Sequence, residues 1–321
     1  QFTDMTASNN TAIGGSIMNQ LTRGYSNSAF GTFSLFSDTT GSYNCAFGDS
    51  TLYSNSKGFR NSAFGVSSLS RNNPISDGAT ENTAFGYLSL FSCTNGSKNS
   101  AFGYRSMYSN NNGKENSSFG SSSLLNNTIG NYNSAFGESS LLLNTTADSN
   151  SAFGSQSLVN NSTGSQNSAF GYRSLFANTT GSLNNAFGTN AMRLNVTGSN
   201  NNAMGTNALY SNFSGSYNIA LGYASLYSCV SGINNIAIGY NSGSNIISGS
   251  NNCTIGYNAF VPNGNLDNQM RMGNTDITYA YMPSSSYISS DLRLKHSIKD
   301  SDLGLQFINA LRPVSYTRNN D

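Results

Sequence analysis

The sequence predicts an all-β fold, a parallel β-solenoid or β-roll of about fifteen 17-residue coils, and three observations carry that expectation. The first is a repeat. The pentapeptide Asn-x-Ala-Phe-Gly, or a close variant, ends at Gly14, Gly31, Gly48, Gly65, Gly86, Gly103, Gly120, Gly137, Gly154, Gly171, Gly188, Gly205, Gly222, Gly239 and Gly256, and every step is 17 residues except the 21 from Gly65 to Gly86. The second is the absence of a 3.6-residue apolar period in windows of about 11–18 residues, which rejects helix over residues 10–260. The third is composition: 9% charged residues with abundant Asn, Ser and Gly would suit disorder, but 12% aromatic residues is too many for a solvated tail.

Each element of the coil follows from its residues. The motif is a short strand, and its Gly marks a bend. A small residue and an apolar one come three and four positions later, as in Ser34-Leu35, Ser106-Met107 and Ser174-Leu175, which predicts a second short strand. Ten positions past the motif Gly another Gly usually follows Asn, Thr or Ser, as in Asn178-Thr179-Thr180-Gly181. That is turn chemistry, with Gly expected to supply a positive φ.

Alternation along a strand assigns faces. The residue before the motif Gly is Phe in ten coils, Phe30 to Phe187, and in late coils it changes together with the residue two before it: Ile219 accompanies Leu221, and Ile236 accompanies Ile238. Such volume exchange is expected of a packed interior, so the Phe ladder is placed on the inner face and Ala29, Ala63 and Ala101 on the outer one. The Asn that opens each motif, Asn10 through Asn252, suits stacked amides at a corner. Stacked about 4.8 Å apart, the coils make a rod on the order of 70 Å long. The four extra residues between Gly65 and Gly86, around Asn73-Pro74 and Asp77-Gly78, are expected to loop out.

Composition excludes several functions. A net charge of +1 without a Lys/Arg run offers nothing to nucleic acid or an anionic membrane, and no apolar run approaches a membrane span. The opening Gln1-Phe2-Thr3-Asp4 reads as the start of a fragment. One His and no Cys-x-x-Cys leave no zinc site, and no cofactor is expected. Cys45, Cys93, Cys229 and Cys253 follow no disulfide framework and read as buried or partly buried free thiols. Asp49, Glu138 and Asp148 do not make the close pair of a glycosidase. The sequons at Asn144, Asn178 and Asn195 read as turn formers rather than glycan acceptors.

Outward aromatic positions are the contact candidates. Tyr87, Tyr104, Tyr172, Tyr223, Tyr240 and Tyr257 lie one residue past the motif Gly; Phe36, Tyr53, Phe91, Tyr108, Phe176, Tyr210 and Tyr227 lie five past it. Such stripes pack subunits together more readily than they bind host glycans. No flat Thr-x-Thr face of an ice-binding solenoid is present.

The repeats resemble the head repeats of trimeric autotransporter adhesins of the YadA type, in which Asn-Ser-x-Ala-Ile-Gly coils build a parallel β-roll in each of three subunits. The resemblance covers about residues 10–260, with Phe in place of the family's aliphatic. It implies a homotrimeric rod that binds without turnover. A different module begins past Phe260, where nine of the 29 charged residues crowd into the last 32 positions. Ser290-Asp291-Leu292-Arg293-Leu294-Lys295-His296 with Pro313-Val314-Ser315-Tyr316 is similar to the start of the intramolecular chaperone domain of endosialidase tailspikes and other phage fibres. That resemblance implies a small α+β module that trimerises, assists folding of the fibre before it and cuts itself off. Ser290 would then be the nucleophile, Lys295 the general base and Asp291 the residue after the scissile bond, with His296 a solvated bystander.

The chain is thus expected to comprise an N-terminal fragment (1–9), the shaft (10–260), a connector (261–289) and the start of the chaperone (290–321). The function these features imply is a structural virus or phage fibre in the virion, with itself, other virion proteins and a host surface glycan or receptor as partners and no enzymatic turnover beyond self-cleavage. The alternatives are a trimeric adhesin at a bacterial surface and, third, a polysaccharide depolymerase.

Overall fold

The computed structural model describes residues 7–73 and 80–277. The chain divides into two units, 1–276 and 277–321, and the solenoid lies in the first. The chaperone-like segment 290–321 falls outside the described residues, as does the centre of the insertion, 74–79.

Sixteen three-residue strands, β1 (Thr11–Ile13) through β8 (Ser134–Phe136) to β15 (Cys253–Ile255) and β16 (Met270–Met272), form one parallel sheet in strict sequence order. Each strand pairs with the equivalent residues of the next coil, Ala101 with Ser118 and Phe102 with Phe119 for example. The 21-residue step leaves this register intact: Ser62 pairs with Thr83 and Phe64 with Phe85. The sixteenth coil, degenerate in sequence, still pairs through Cys253 and Met270. Fifteen intervals of about 4.8 Å give the expected shaft of about 70 Å. No helix occurs among the described residues.

The expected second strand does not form. Around Ser34-Leu35 the chain is a run of turns that keeps coil-to-coil hydrogen bonds, Leu35 N–H to the Thr51 carbonyl at 3.0 Å and Leu52 N–H to that of Ser68 at 3.1 Å. The reason is backbone conformation. Arg105 (φ 53°) and Met107 (φ 51°) take left-handed values in one coil, Phe33 (φ 56°) and Leu35 (φ 49°) in another. A left-handed residue costs about 1–2 kcal/mol, which full burial of the Leu or Met side chain offsets by about as much.

The faces of the strand are inverted relative to the volume argument. Ala29, Ala46, Ala63, Ala101 and their equivalents are completely buried, facing a ladder of Leu35, Leu52, Leu69, Leu90, Met107 and Leu124 that is completely buried too. Phe30 and the other nine rings stand on the outer face of the sheet. A 17-residue coil encloses too little width for a ring, so Ala from one wall meets Leu from the other. The paired changes at Ile219 and Leu221 are therefore neighbours covering one another on the outside. Where a hydroxyl enters the Ala ladder it brings partners: Ser118 accepts from Ser106 at 2.9 Å and donates to the Ser123 carbonyl at 3.0 Å.

Two asparagine ladders line the rest of the interior. The motif asparagines bridge three coils: Asn99 Oδ1 accepts the Asn116 backbone N–H at 3.0 Å, and Asn99 Nδ2 donates to the Gly113 carbonyl at 2.8 Å. The second ladder holds the turn, with Asn127 Nδ2 donating to Asn110 Oδ1 at 2.6 Å and to the Gly130 carbonyl at 3.0 Å. The two kinds of Gly differ in purpose. Motif Gly103 has φ 133°, and a Cβ there would lie 2.5 Å from the Gly120 carbonyl oxygen. Turn Gly113 has no positive φ; a Cβ would instead meet Asn110 Oδ1 and the Gly130 oxygen, so close approach and not backbone hand selects it.

Candidate interaction surfaces

The described residues are organised as parallel ladders, and the candidate sites are rows on the outside of the shaft. The longest is the Phe row. Phe30, Phe47, Phe64, Phe85, Phe102, Phe119, Phe136, Phe153, Phe170 and Phe187 stack with ring centroids 4.4–6.1 Å apart. Met204, Leu221, Ile238, Ile255 and Met272 continue it to the last strand. Stacked rings cover one another's faces and leave their edges to solvent, so the row stays partly exposed: Phe119 is 36% and Met204 56% exposed.

The tyrosines one residue past the motif Gly are outward and exposed, as their spacing indicates. Tyr223, Tyr240 and Tyr257 stack at 5.0 and 5.3 Å, and Tyr87 stacks on Tyr104 at 5.7 Å. The row five past the Gly is half-buried, with Phe36 on Tyr53 at 5.1 Å, Phe91 on Tyr108 at 5.2 Å and Tyr210 on Tyr227 at 5.0 Å. Arginines lie over it: Arg105 is 4.7 Å from the Tyr108 centroid, and Arg173 and Arg193 flank Phe176. A guanidinium on a ring face both neutralises the exposed π surface and shields it.

A third row was not singled out by the motif. Five positions before the Gly, Arg60, Glu81, Lys98 and Glu115 alternate in sign over four coils, with Arg60–Glu81 at 3.1 Å and Lys98–Glu115 at 4.0 Å. Both pairs are exposed, so they favour correct register more than they add stability. Beside this row lies a cavity of about 380 Å³ lined by Tyr25, Thr40, Ser42, Tyr43, Lys57, Phe59 and Arg60. Comparison between coils is the signal that reveals it, because the same positions elsewhere are mostly Ser and Asn.

The structure does not bring together the acids Asp49, Glu138 and Asp148. Asp49 and Glu138 occupy one row five coils apart, about 24 Å, well beyond the separation at which paired carboxylates cleave a glycosidic bond. Asp148 accepts the Asn131 backbone N–H at 2.6 Å, which is a turn role. No group of three His, Cys, Asp or Glu among the described residues could hold a metal ion. Ser290, Asp291, Lys295 and His296 lie outside the described residues. No helix among the described residues is long and apolar enough to cross a membrane.

All four cysteines are free, Cys93 and Cys229 buried and Cys45 and Cys253 partly so. Burial pushes the Cys93 thiol up to about 12 and that of Cys229 to about 11. The sequon nitrogens are used by the fold: Asn178 Nδ2 donates to Asn161 Oδ1 at 2.8 Å and to the Gly181 carbonyl at 2.9 Å, Asn195 Nδ2 does the same one step on, to Asn178 Oδ1 and the Gly198 carbonyl, and Asn144 Nδ2 donates to Asn127 Oδ1 and the Ala147 carbonyl. All three are fully buried, so a glycan on any of them is incompatible with the closed coil.

Comparison with protein-family models, curated proteins and solved structures finds no match to this chain.

Proposed function

We propose that this chain is the shaft of a homotrimeric fibre of a virus or phage, used in host attachment, with a self-cleaving chaperone domain beginning at Ser290 that assists folding. The observation that carries the reading is the outer Phe row with its aliphatic continuation, an apolar stripe that runs through the coils from Phe30 to Met272. A continuous apolar row of this length, flanked through most coils by Ser, Asn and Thr, is the kind of patch that marks a protein–protein contact. A second and third copy in the same register would cover it with an equal stripe, ring edges against ring edges.

Parallel coils also explain the need for a folding aid. Near-identical repeats offer many registers one coil apart, and pairing distant strands is slow. A trimeric clamp at one end would align the chains, and its removal would leave the fibre kinetically trapped. In that step Lys295, made neutral by desolvation, would take the hydroxyl proton of Ser290.

The test is the solution mass by light scattering. Three uncut chains of 34.0 kDa give about 102 kDa, a cut trimer correspondingly less, and Phe119→Asp with Phe153→Asp is expected to release monomers that keep their β signature. A wild-type monomer of 34.0 kDa at micromolar concentration would remove the trimer. Intact mass of the full-length product beside Ser290→Ala tests the cleavage: a chain ending at Ser290 is expected only in the wild type.

A further inference from the structure

The cavity beside the charged row exists because one small residue interrupts an aromatic one. Six positions before the motif Gly stand Tyr25, Ser42 and Phe59 in three successive coils. Their stacking is fixed by the backbone: Tyr25 N–H donates to Ser42 Oγ at 3.2 Å, and Arg60 N–H donates to the Ser42 carbonyl at 3.1 Å. Two coil spacings separate the outer residues by about 10 Å. Tyr43 packs against one wall and the Arg60 guanidinium lies 5.6 Å from the Phe59 centroid at the other, and the space left between them, about 380 Å³, admits a sugar ring.

The coil does not need these rings. From Ser165 through Ser216 the position is serine in four successive coils, and its hydroxyl serves the fold directly, with Ser165 N–H donating to Ser182 Oγ at 3.1 Å and Ser182 N–H to Ser199 Oγ at 3.0 Å. At the notch the lining is instead three aromatic rings, two small hydroxyls and two cations. Tyr43 stands edge-on to Tyr25 at 5.1 Å, which forms a corner. Arg60 is held by Glu81, whereas Lys57 has no ion pair and the cavity no carboxylate among the described residues. A ligand that matches has an apolar ring face for the walls, hydroxyls for Thr40 and Ser42, and one negative charge for Lys57.

We infer that the notch between Tyr25 and Phe59 is a binding site for a carboxylated pyranose, a uronic or similar acid sugar within a polysaccharide. The inference deepens the attachment reading by naming a ligand class and a place for it. Both rows are external, so a polymer lying along the shaft reaches the notch without entering the coil.

The experiment uses trigalacturonate and its full methyl ester as probes, measured by calorimetry and saturation-transfer NMR on the whole chain, with light scattering on the same samples. Trigalacturonate is expected to bind and to weaken as salt is raised, with the ester bound at least about tenfold more weakly. Lys57→Gln should cost the acid about tenfold. Ser42→Tyr should abolish binding while the chain keeps its β signature, because the same position already carries Tyr25 and Phe59 in adjacent coils; melting falls only by the loss of the acceptor for the Tyr25 N–H. Equal binding of acid and ester, unchanged binding by Ser42→Tyr, equal binding of hexaglutamate, or no binding of the acid would each overturn the assignment. A trimer that binds no acid sinks this inference alone; a monomer that binds it sinks the trimeric fibre alone.

Discussion

Asn116 is bonded to coils on both sides of it. Its backbone N–H reaches Asn99 Oδ1 at 3.0 Å, its Nδ2 reaches the Gly130 carbonyl at 2.8 Å, and its Oδ1 accepts the Asn133 N–H at 2.9 Å. Asn116 is fully buried, so the Asn133 N–H has this amide in place of water, while the Gly130 carbonyl is shared with Asn127 Nδ2 at 3.0 Å.

Asn116→Ala should therefore cost about 1–3 kcal/mol, since it leaves the Asn133 N–H without a partner while the Gly130 carbonyl keeps its bond from Asn127. Because coils touch only their neighbours, the loss should be local. Hydrogen exchange is the measurement: faster exchange confined to the coils around residues 99–133 is expected, and a uniform change along the shaft would contradict the ladder as drawn.

Asp38 stands where the next coils place Asn55 and Asn72, and it is the one carboxyl in that row. One oxygen accepts the Gly41 N–H at 2.7 Å; the other is buried without a partner, and desolvation pushes the group up to about 7. A raised carboxyl favours the fold while it stays protonated. Its contribution is complete below the ordinary value near 3.8 and is lost as pH rises through about 7. Asp38→Asn should give no large gain at pH 4 and a gain on the order of 2–4 kcal/mol at pH 8, by restoring an amide that donates to the turn. Melting at the two pH values checks it; an equal shift at both would mean the ionisation is not the cause.

Much of this architecture was legible in the residues. The 17-residue step, the unbroken Asn10–Asn252 row and the lack of a helical period were enough to specify a parallel solenoid and its register. Which face of the strand is inside was not, because alternation separates Ala101 from Phe102 without saying which is buried. Size was a misleading guide: the interior width is set by the turn opposite, where left-handed Met107 brings the far wall close. The second strand failed for the same reason, since a positive φ at Arg105 and Met107 leaves no mark in a sequence of ordinary L residues. The notch at Ser42 was also hidden, because it lies in the variable positions between motifs and shows only when coils are overlaid.

The inversion of faces has its own test. Ala152 is fully buried between neighbouring Ala135 and Ala169, while Phe153 stands outside, stacked at 4.7 Å on Phe136 and Phe170. Ala152→Leu should overpack the interior and cost about 1–3 kcal/mol or more, whereas Phe153→Leu should change the stability of a dissociated chain by less than about 1.5 kcal/mol. Denaturation of both in a Phe119→Asp background that light scattering shows to be monomeric reads the difference. The opposite order would return Phe to the core.

Thiol chemistry reports the same geometry from a different side. Cys93 replaces an Asn of the turn row and points its Sγ at the Gly96 carbonyl 3.5 Å away, and Cys229 repeats this towards Gly232 at 3.9 Å. Both are buried with thiols held neutral, so neither supplies the thiolate that alkylation requires. Cys45 and Cys253 sit on the outer face of β3 (Cys45–Phe47) and β15, two residues before the Phe47 and Ile255 of the apolar row. In a dissociated chain they should react with iodoacetamide at pH 8 at least about a hundredfold faster than the buried pair, with mass spectrometry counting two labels before four. In an assembly closed over the apolar row, Cys45 and Cys253 should slow as well. Labelling of all four at one rate would mean that the coil opens as a whole, and labelling of Cys93 first would contradict the interior described here.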